Sequence, residues 1–176
     1  MPLSGRAEHP RKTAALLGAF CLFLSTIEYL IPKPLPFMRL GIANLPLMLA
    51  LDILSFPTYM LLVAIKIFGQ ALITGTLFSY IFLFSLAGTV TSAVAMYGLR
   101  RLCGDRRISF IGISAAGALS SNSMQLVFAW LFIFGKSTRY FAPPFLGMGV
   151  ITGIALGIFC EYFSRHSQWY AQRRVR

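Results

Sequence analysis

Apolar residues fall into six runs, at about 13–31, 41–54, 58–77, 80–99, 110–134 and 143–163, separated by short segments that hold most of the Pro, Lys and Arg. A helix of roughly 20 apolar residues crosses a bilayer. The pattern therefore predicts an all-α integral membrane protein, a six-helix bundle forming a single membrane domain over 1–176. The second run is the exception. Its roughly 14 residues rise only ~21 Å as a helix, short of a ~30 Å hydrocarbon core, so it reads as a short span or a re-entrant segment. It is entered through IPKPLPFMRLG, where Pro32, Pro34 and Pro36 each remove a backbone donor and fix φ, which predicts an extended cap over 31–37. The first run follows Arg11 and Lys12 as in a signal peptide, but no small-x-small cleavage pattern comes after it. It reads as a retained span.

Composition sharpens this picture. The chain is 57% hydrophobic and 12% charged with a mean hydropathy of +0.72, against a charged share of about 25% in soluble domains. A soluble globular protein is excluded, and six spans leave no room for a separate soluble domain. Sixteen Lys and Arg against five Asp and Glu give a net charge of +11, which in a soluble protein would point to nucleic acid. Here the basic residues cluster at the ends of apolar runs, where they set membrane orientation. With six crossings, eleven of them lie on one side: Arg6, Arg11 and Lys12, the 100–107 loop, and Arg165, Arg173, Arg174 and Arg176. Four lie opposite, namely Lys33, Arg39, Lys136 and Arg139, and Lys66 falls within a span. Both termini are thus expected in the cytoplasm. Five crossings would move the 100–107 loop outside and lose the bias. The tail RHSQWYAQRRVR reads as an interfacial anchor on anionic lipid. Cys21, Cys103 and Cys160 lie far apart with no C-x-x-C, which supports neither a metal site nor a disulfide.

Polar residues inside the spans carry the functional signal. A lysine near the bilayer centre costs roughly 2.5–3.5 kcal/mol and persists only with a partner, cavity or ligand. Lys66 lies mid-way along the third run, with Gln70 and Thr74 following on the same helical face. Glu28 and Asp52 are its possible structural partners, but both sit nearer span ends, on the order of 10 Å away in depth. In the fifth run Ser121, Asn122 and Gln125 follow the small-residue row Ser114, Gly117, Ala118. Glu28, Asn44, Lys66, Gln70, Asn122 and Gln125 all project to the middle or outer half of the membrane beneath a loop bearing Arg39, which suggests one cavity open to the outside. Ala15 and Ala19, and Gly149, Gly153 and Gly157, are small residues at spacings of four that let helices approach closely. The glycines read as packing within the bundle; Ala15 and Ala19 fit either that or contact with another helix.

Catalytic signatures are missing. Asp52 and Asp105 lie about fifty residues apart, and there is no Asp-rich motif, phosphate-cradling loop, HExxH or evident Ser/His/Asp set. His9 and His166 fall in the tails. No autonomous enzyme, no cofactor and no built-in ATPase is expected.

RLGIANLPLMLALDIL (39–54), KIFGQALITGTLFSYIFLFSLAG (66–88) and GALSSNSMQLVFAWLF (117–132) resemble the three characteristic blocks of the Gx transporter family, also labelled heptaprenyl diphosphate synthase component I. That family is grouped with the substrate-binding S components of energy-coupling factor vitamin transporters. The resemblance covers about 13–163 and implies a multi-pass protein of the cytoplasmic membrane of a bacterium. It implies six helices, both termini inside, and an outward-facing cavity under the loop between the first two helices. It also implies docking on a transmembrane coupling subunit, with its ATPases, through an alanine-xxx-alanine surface, here Ala15 and Ala19. By motif position Arg39, Gly41, Asn44, Lys66, Thr74, Ser79, Asn122 and Gln125 are candidate cavity residues. Gln70 joins them from the helical face of Lys66. Where many relatives carry His-Asn in the fifth block, this chain reads Ser121-Asn122, which leaves the ligand's identity open. The second label implies instead a noncatalytic membrane partner of a separate soluble synthase that makes the heptaprenyl chain of menaquinone. The expectation is a subunit binding an anionic or amphipathic small molecule, with Lys66 and Arg39 neutralising the anion.

Overall fold

The computed structural model describes the backbone of residues 4–32, 41–104 and 108–173, and all of its regular structure is helical. The elements are α1 (Ser4–Leu30), a 3₁₀ turn (Ile42–Asn44), α2 (Leu45–Ala50), α3 (Phe56–Ile73), α4 (Tyr80–Cys103), α5 (Phe110–Ala129), α6 (Thr138–His166) and α7 (Gln168–Arg173). A π-helical turn (Trp130–Phe134) and a short 3₁₀ turn (Gly135–Ser137) join α5 to α6. Four stretches among the described residues are long and apolar enough to cross a membrane: Lys12–Leu30, Phe56–Ile73, Tyr80–Cys103 and Phe110–His166, the last containing both α5 and α6. The cap expected at 31–37 falls mostly, and Arg39 wholly, outside the described residues.

Helices in lipid gain little from hydrophobic contact with one another and associate where small side chains let their backbones close in. The α4–α5–α6 layer is built this way. A Cβ on Gly117 of α5 would lie 2.7 Å from Met96 Cγ of α4. One on Gly149 of α6 would lie 1.8 Å from Asn122 Nδ2, and one on Gly157 would lie 2.5 Å from the Cα of Ile111. The glycine row of α6 is therefore packed inside the bundle, against α5. Ser79 and Ser109 start α4 and α5, their hydroxyls accepting from the N–H groups of Ile81 and Gly112, both at 3.3 Å.

The second apolar run is not one helix. It begins with Gly41, passes through the 3₁₀ turn into the six-residue α2, and ends in turns at 51–54. Every residue of α2 is buried, and irregular backbone at membrane depth is tolerated where protein surrounds it. At one end Ala43 meets Glu28, near the C-terminus of α1. At the other, Leu49 shares a groove with Leu16 and Phe20 of α1. The segment thus runs antiparallel to α1, and the six residue steps from Ala43 to Leu49 advance it by ~9 Å at 1.5 Å each.

Two boundaries differ from expectation. Helix α6 begins at Thr138, five residues before the apolar run, and carries Pro143 and Pro144 inside it. Each proline leaves one carbonyl of the preceding turn without its helical donor, and that turn is the exposed Arg139–Tyr140 end. The tail, expected as an interfacial anchor, is not a simple extended segment. It folds into α7, and Tyr170 is 1% exposed.

Candidate functional site

A polar cavity lies within the bundle, with each of the helices α1 to α6 and the 3₁₀ turn at Ile42–Asn44 contributing to its wall. Glu28 of α1, Asn44 of the 3₁₀ turn, and Lys66 and Gln70 of α3 form its charged side. Thr89 and Ser92 of α4, Ser114, Ser121 and Asn122 of α5, and Thr152 of α6 form a side rich in hydroxyls. Its free volume is about 30 Å³, room for about two waters. Among the described residues the site is tight, with little free space.

The charged side is tightly bonded. Lys66, 3% exposed, donates from Nζ to Asn44 Oδ1. Glu28, 1% exposed, accepts from the backbone N–H groups of Gly41 at 3.2 Å and Ala43 at 3.1 Å. These are the orphan donors at the start of the 3₁₀ turn, whose own N-cap, Gly41, has no side chain to satisfy them. A carboxylate there forms charge-assisted bonds and complements the turn's dipole. Gly41 reaches this geometry with φ 83°, in the left-handed region.

The opposite side is held by close approach to glycine. Asn122 donates to the carbonyl of Phe145 at 3.3 Å in space that only Gly149 leaves open. Gln125, fully buried, donates to Ser121 Oγ at 3.5 Å beside Gly88, where a Cβ would lie 2.8 Å from its Nε2. Among the described residues, Ser92 Oγ and Gln125 Oε1 are buried with no hydrogen-bond partner.

Of the candidate residues, Asn44, Lys66, Gln70, Asn122 and Gly41 come together around the cavity. Gln125 sits behind its wall, next to Ser121. Thr74 and Ser79 are placed elsewhere, at helix ends. Thr74 Oγ1 donates to the Gln70 carbonyl at 2.8 Å, and Ser79 caps α4. Arg39 lies outside the described residues. The lining hydroxyls Thr89, Ser92 and Thr152 do not stand out in the sequence. Thr89, Ser92 and Met96 do recur at helical spacing on α4, but single hydroxyls in a span look like ordinary packing.

Asp52 does not serve Lys66. It takes Arg100 in a two-point ion pair, Nε to Oδ1 at 2.6 Å and Nη2 to Oδ2 at 2.5 Å, and accepts from the Tyr170 hydroxyl at 2.7 Å. Arg100 also donates to the Ile108 carbonyl at 3.1 Å and lies over the Phe110 ring. This cluster ties the turn after α2, the end of α4, the start of α5 and α7 into one structural knot. Glu28, by contrast, shares the cavity with Lys66. Its place near the end of α1 does not separate the two in depth as rise per residue suggests.

Ala15 and Ala19 lie on the exposed face of α1. Ala19 lines an apolar groove of about 520 Å³ with Leu16, Phe20, Phe23, Leu49, Phe163 and Trp169.

Apolar helices of membrane length around a tight polar cavity define a helical membrane protein with a buried polar site. The chain belongs to the heptaprenyl diphosphate synthase component I family, whose sequence model matches residues 17–163. No curated protein and no solved structure matches the chain.

Proposed function

We propose that this chain is a noncatalytic, substrate-binding membrane subunit, resembling the S components of energy-coupling factor transporters. In this reading a single domain crosses the cytoplasmic membrane six times with both termini inside. The charge distribution supports that topology, as does the course of 41–54 along α1. The central cavity takes a small anionic or amphipathic ligand from the outer side. Lys66 neutralises its anionic group, and Asn44, Gln70 and Asn122 supply hydrogen bonds. Ala15 and Ala19 offer an exposed surface of small side chains, at the edge of the apolar groove, to a coupling subunit that works with ATPases.

One observation carries the reading: a lysine and a carboxylate, with three amide side chains within or beside them, converge on one enclosed space in a chain otherwise made for lipid. Such groups are costly at that depth and are kept where they serve an ion or substrate. The test is ligand binding and uptake with Lys66→Met. Loss of both, with the fold intact, is the expected result; unchanged affinity and uptake would make Lys66 purely structural.

The family description favours a second reading, a noncatalytic membrane component of a heptaprenyl diphosphate synthase that works with a separate soluble subunit. Loss of heptaprenyl diphosphate synthesis in a strain lacking this chain, restored by the chain itself, distinguishes it from the transporter reading.

A further inference from the structure

The cavity cannot admit a ligand in the conformation described, because about 30 Å³ of free space holds little beyond water. One wall must move. Helices α5 and α6 are held by close contacts at Gly153 and Gly157, where an added carbon would meet the backbone of Ser114 and of Ile111. The 41–44 segment is different. It is a single 3₁₀ turn, packed through Ala43 and Ile42 and tied by polar side chains of its neighbours: Glu28 on the N–H groups of Gly41 and Ala43, and Lys66 on Asn44.

We propose that Glu28 is a positioning residue that holds the 41–44 turn shut over the cavity, and that release of this turn from Glu28 is the step that opens the site. The proposal rests on reading the cavity as a ligand site, and assigns the regulation of that site to a residue that need not touch the ligand. Its chemistry is specific. Both carboxylate oxygens are engaged, Oε1 by Gly41 and Oε2 by Ala43, so the side chain grips the backbone at two donors of the same turn. Removing the carboxylate leaves these N–H groups unsatisfied in a buried setting, and the turn then gains by swinging to where water reaches them. A neutral amide retains one acceptor oxygen of the two, so Glu28→Gln weakens the hold and Glu28→Ala abolishes it. Asn44→Ala removes the second tether and leaves the first.

The experiment uses the full chain in lipid nanodiscs without any ligand, so its outcome is independent of what the cavity binds. Hydrogen–deuterium exchange at 41–44 is followed in wild type, Glu28→Gln and Glu28→Ala. In parallel, Ser92→Cys in a Cys103→Ser background reports cavity access through its rate of reaction with a small water-soluble maleimide. The expected result is a graded rise, with exchange at 41–44 and labelling of position 92 each at least tenfold faster in Glu28→Ala, intermediate in Glu28→Gln, and α3 to α6 unchanged. Unchanged exchange at 41–44 overturns the proposal. So does a uniform rise across α3 to α6 in Glu28→Gln, which would make Glu28 a prop for the whole bundle. If Glu28→Ala does not fold, the Gln variant alone decides between these outcomes. Tether release with no ligand ever found would sink the ligand reading and leave the hinge standing; ligand binding with an unaffected turn would do the reverse.

Discussion

At the scale of single residues, the costliest side chains in the bilayer are also the most informative. Lys66 is legible from hydropathy alone, since a cation mid-span demands explanation, and Asn122 stands out as an amide in an apolar run. Their partners are less so. Asp52 reads in sequence as a possible mate for Lys66, yet its real mate, Arg100, lies 48 positions away and reads only as a cytoplasmic charge. No local pattern reports a pairing across that distance. The pair predicts its own test. Asp52→Ala strands the buried Arg100 guanidinium and is expected to cost about 3–5 kcal/mol, read as a large fall in Tm. Tyr170→Phe removes a single hydrogen bond from a carboxylate that keeps Arg100, and should cost about 1 kcal/mol. Equal losses from the two would mean that the ion pair contributes nothing of its own. Gly157→Ala meets the backbone of Ile111 and is expected to destabilise by about 1–3 kcal/mol, whereas Gly147, where an added methyl would find nothing within 4 Å, tolerates alanine. If thermal unfolding ranks these two glycines the other way, the close packing of α6 on α5 is wrong.

Elements show where sequence reading stops. Five of the six apolar runs form helices because a long apolar stretch in lipid satisfies its backbone internally in no other way. The second run escapes that logic. Surrounded by other helices, its backbone is free to break into a turn, a short helix and further turns, and only contacts with Glu28 at one end and Arg100 at the other reveal its course. The tail likewise reads as a basic, aromatic anchor because its composition suits an interface. The structure adds a docking contact, with Tyr170 buried against Phe110 and bonded to Asp52. Burial, reinforced by the neighbouring Asp52 carboxylate, pushes the Tyr170 hydroxyl well above its ordinary value. A tyrosine pKa raised by folding contributes stability that is fully present below the unfolded value of about 10 and fades as pH rises past it. Docking of α7 should therefore be indifferent to pH between 6 and about 9, as followed by limited proteolysis at the C-terminus. Release of α7 within that window would show that Tyr170 does not hold it.

For the whole molecule, hydropathy and the asymmetry of basic residues point to a membrane bundle, and buried polarity points to a cavity. That the cavity has so little free space is not legible in the sequence. It depends on Glu28 reaching the N–H groups of Gly41 and Ala43, and backbone donors leave no mark in a residue pattern. The groove beside Ala19 is invisible for a similar reason, since Leu49, Phe163 and Trp169 come to α1 from three separate elements. The central claim is that the cavity is a ligand site organised around Lys66. It is tested most directly by native mass spectrometry of the protein drawn from its own membranes in mild detergent, wild type beside Lys66→Met. The account predicts a small anionic or amphipathic molecule carried by the wild type and absent from the variant, both folded, with a coupling subunit and ATPases in the intact complex. A wild-type protein that carries no such molecule, and that comes away with a soluble prenyl diphosphate synthase and no ATPases, would contradict it.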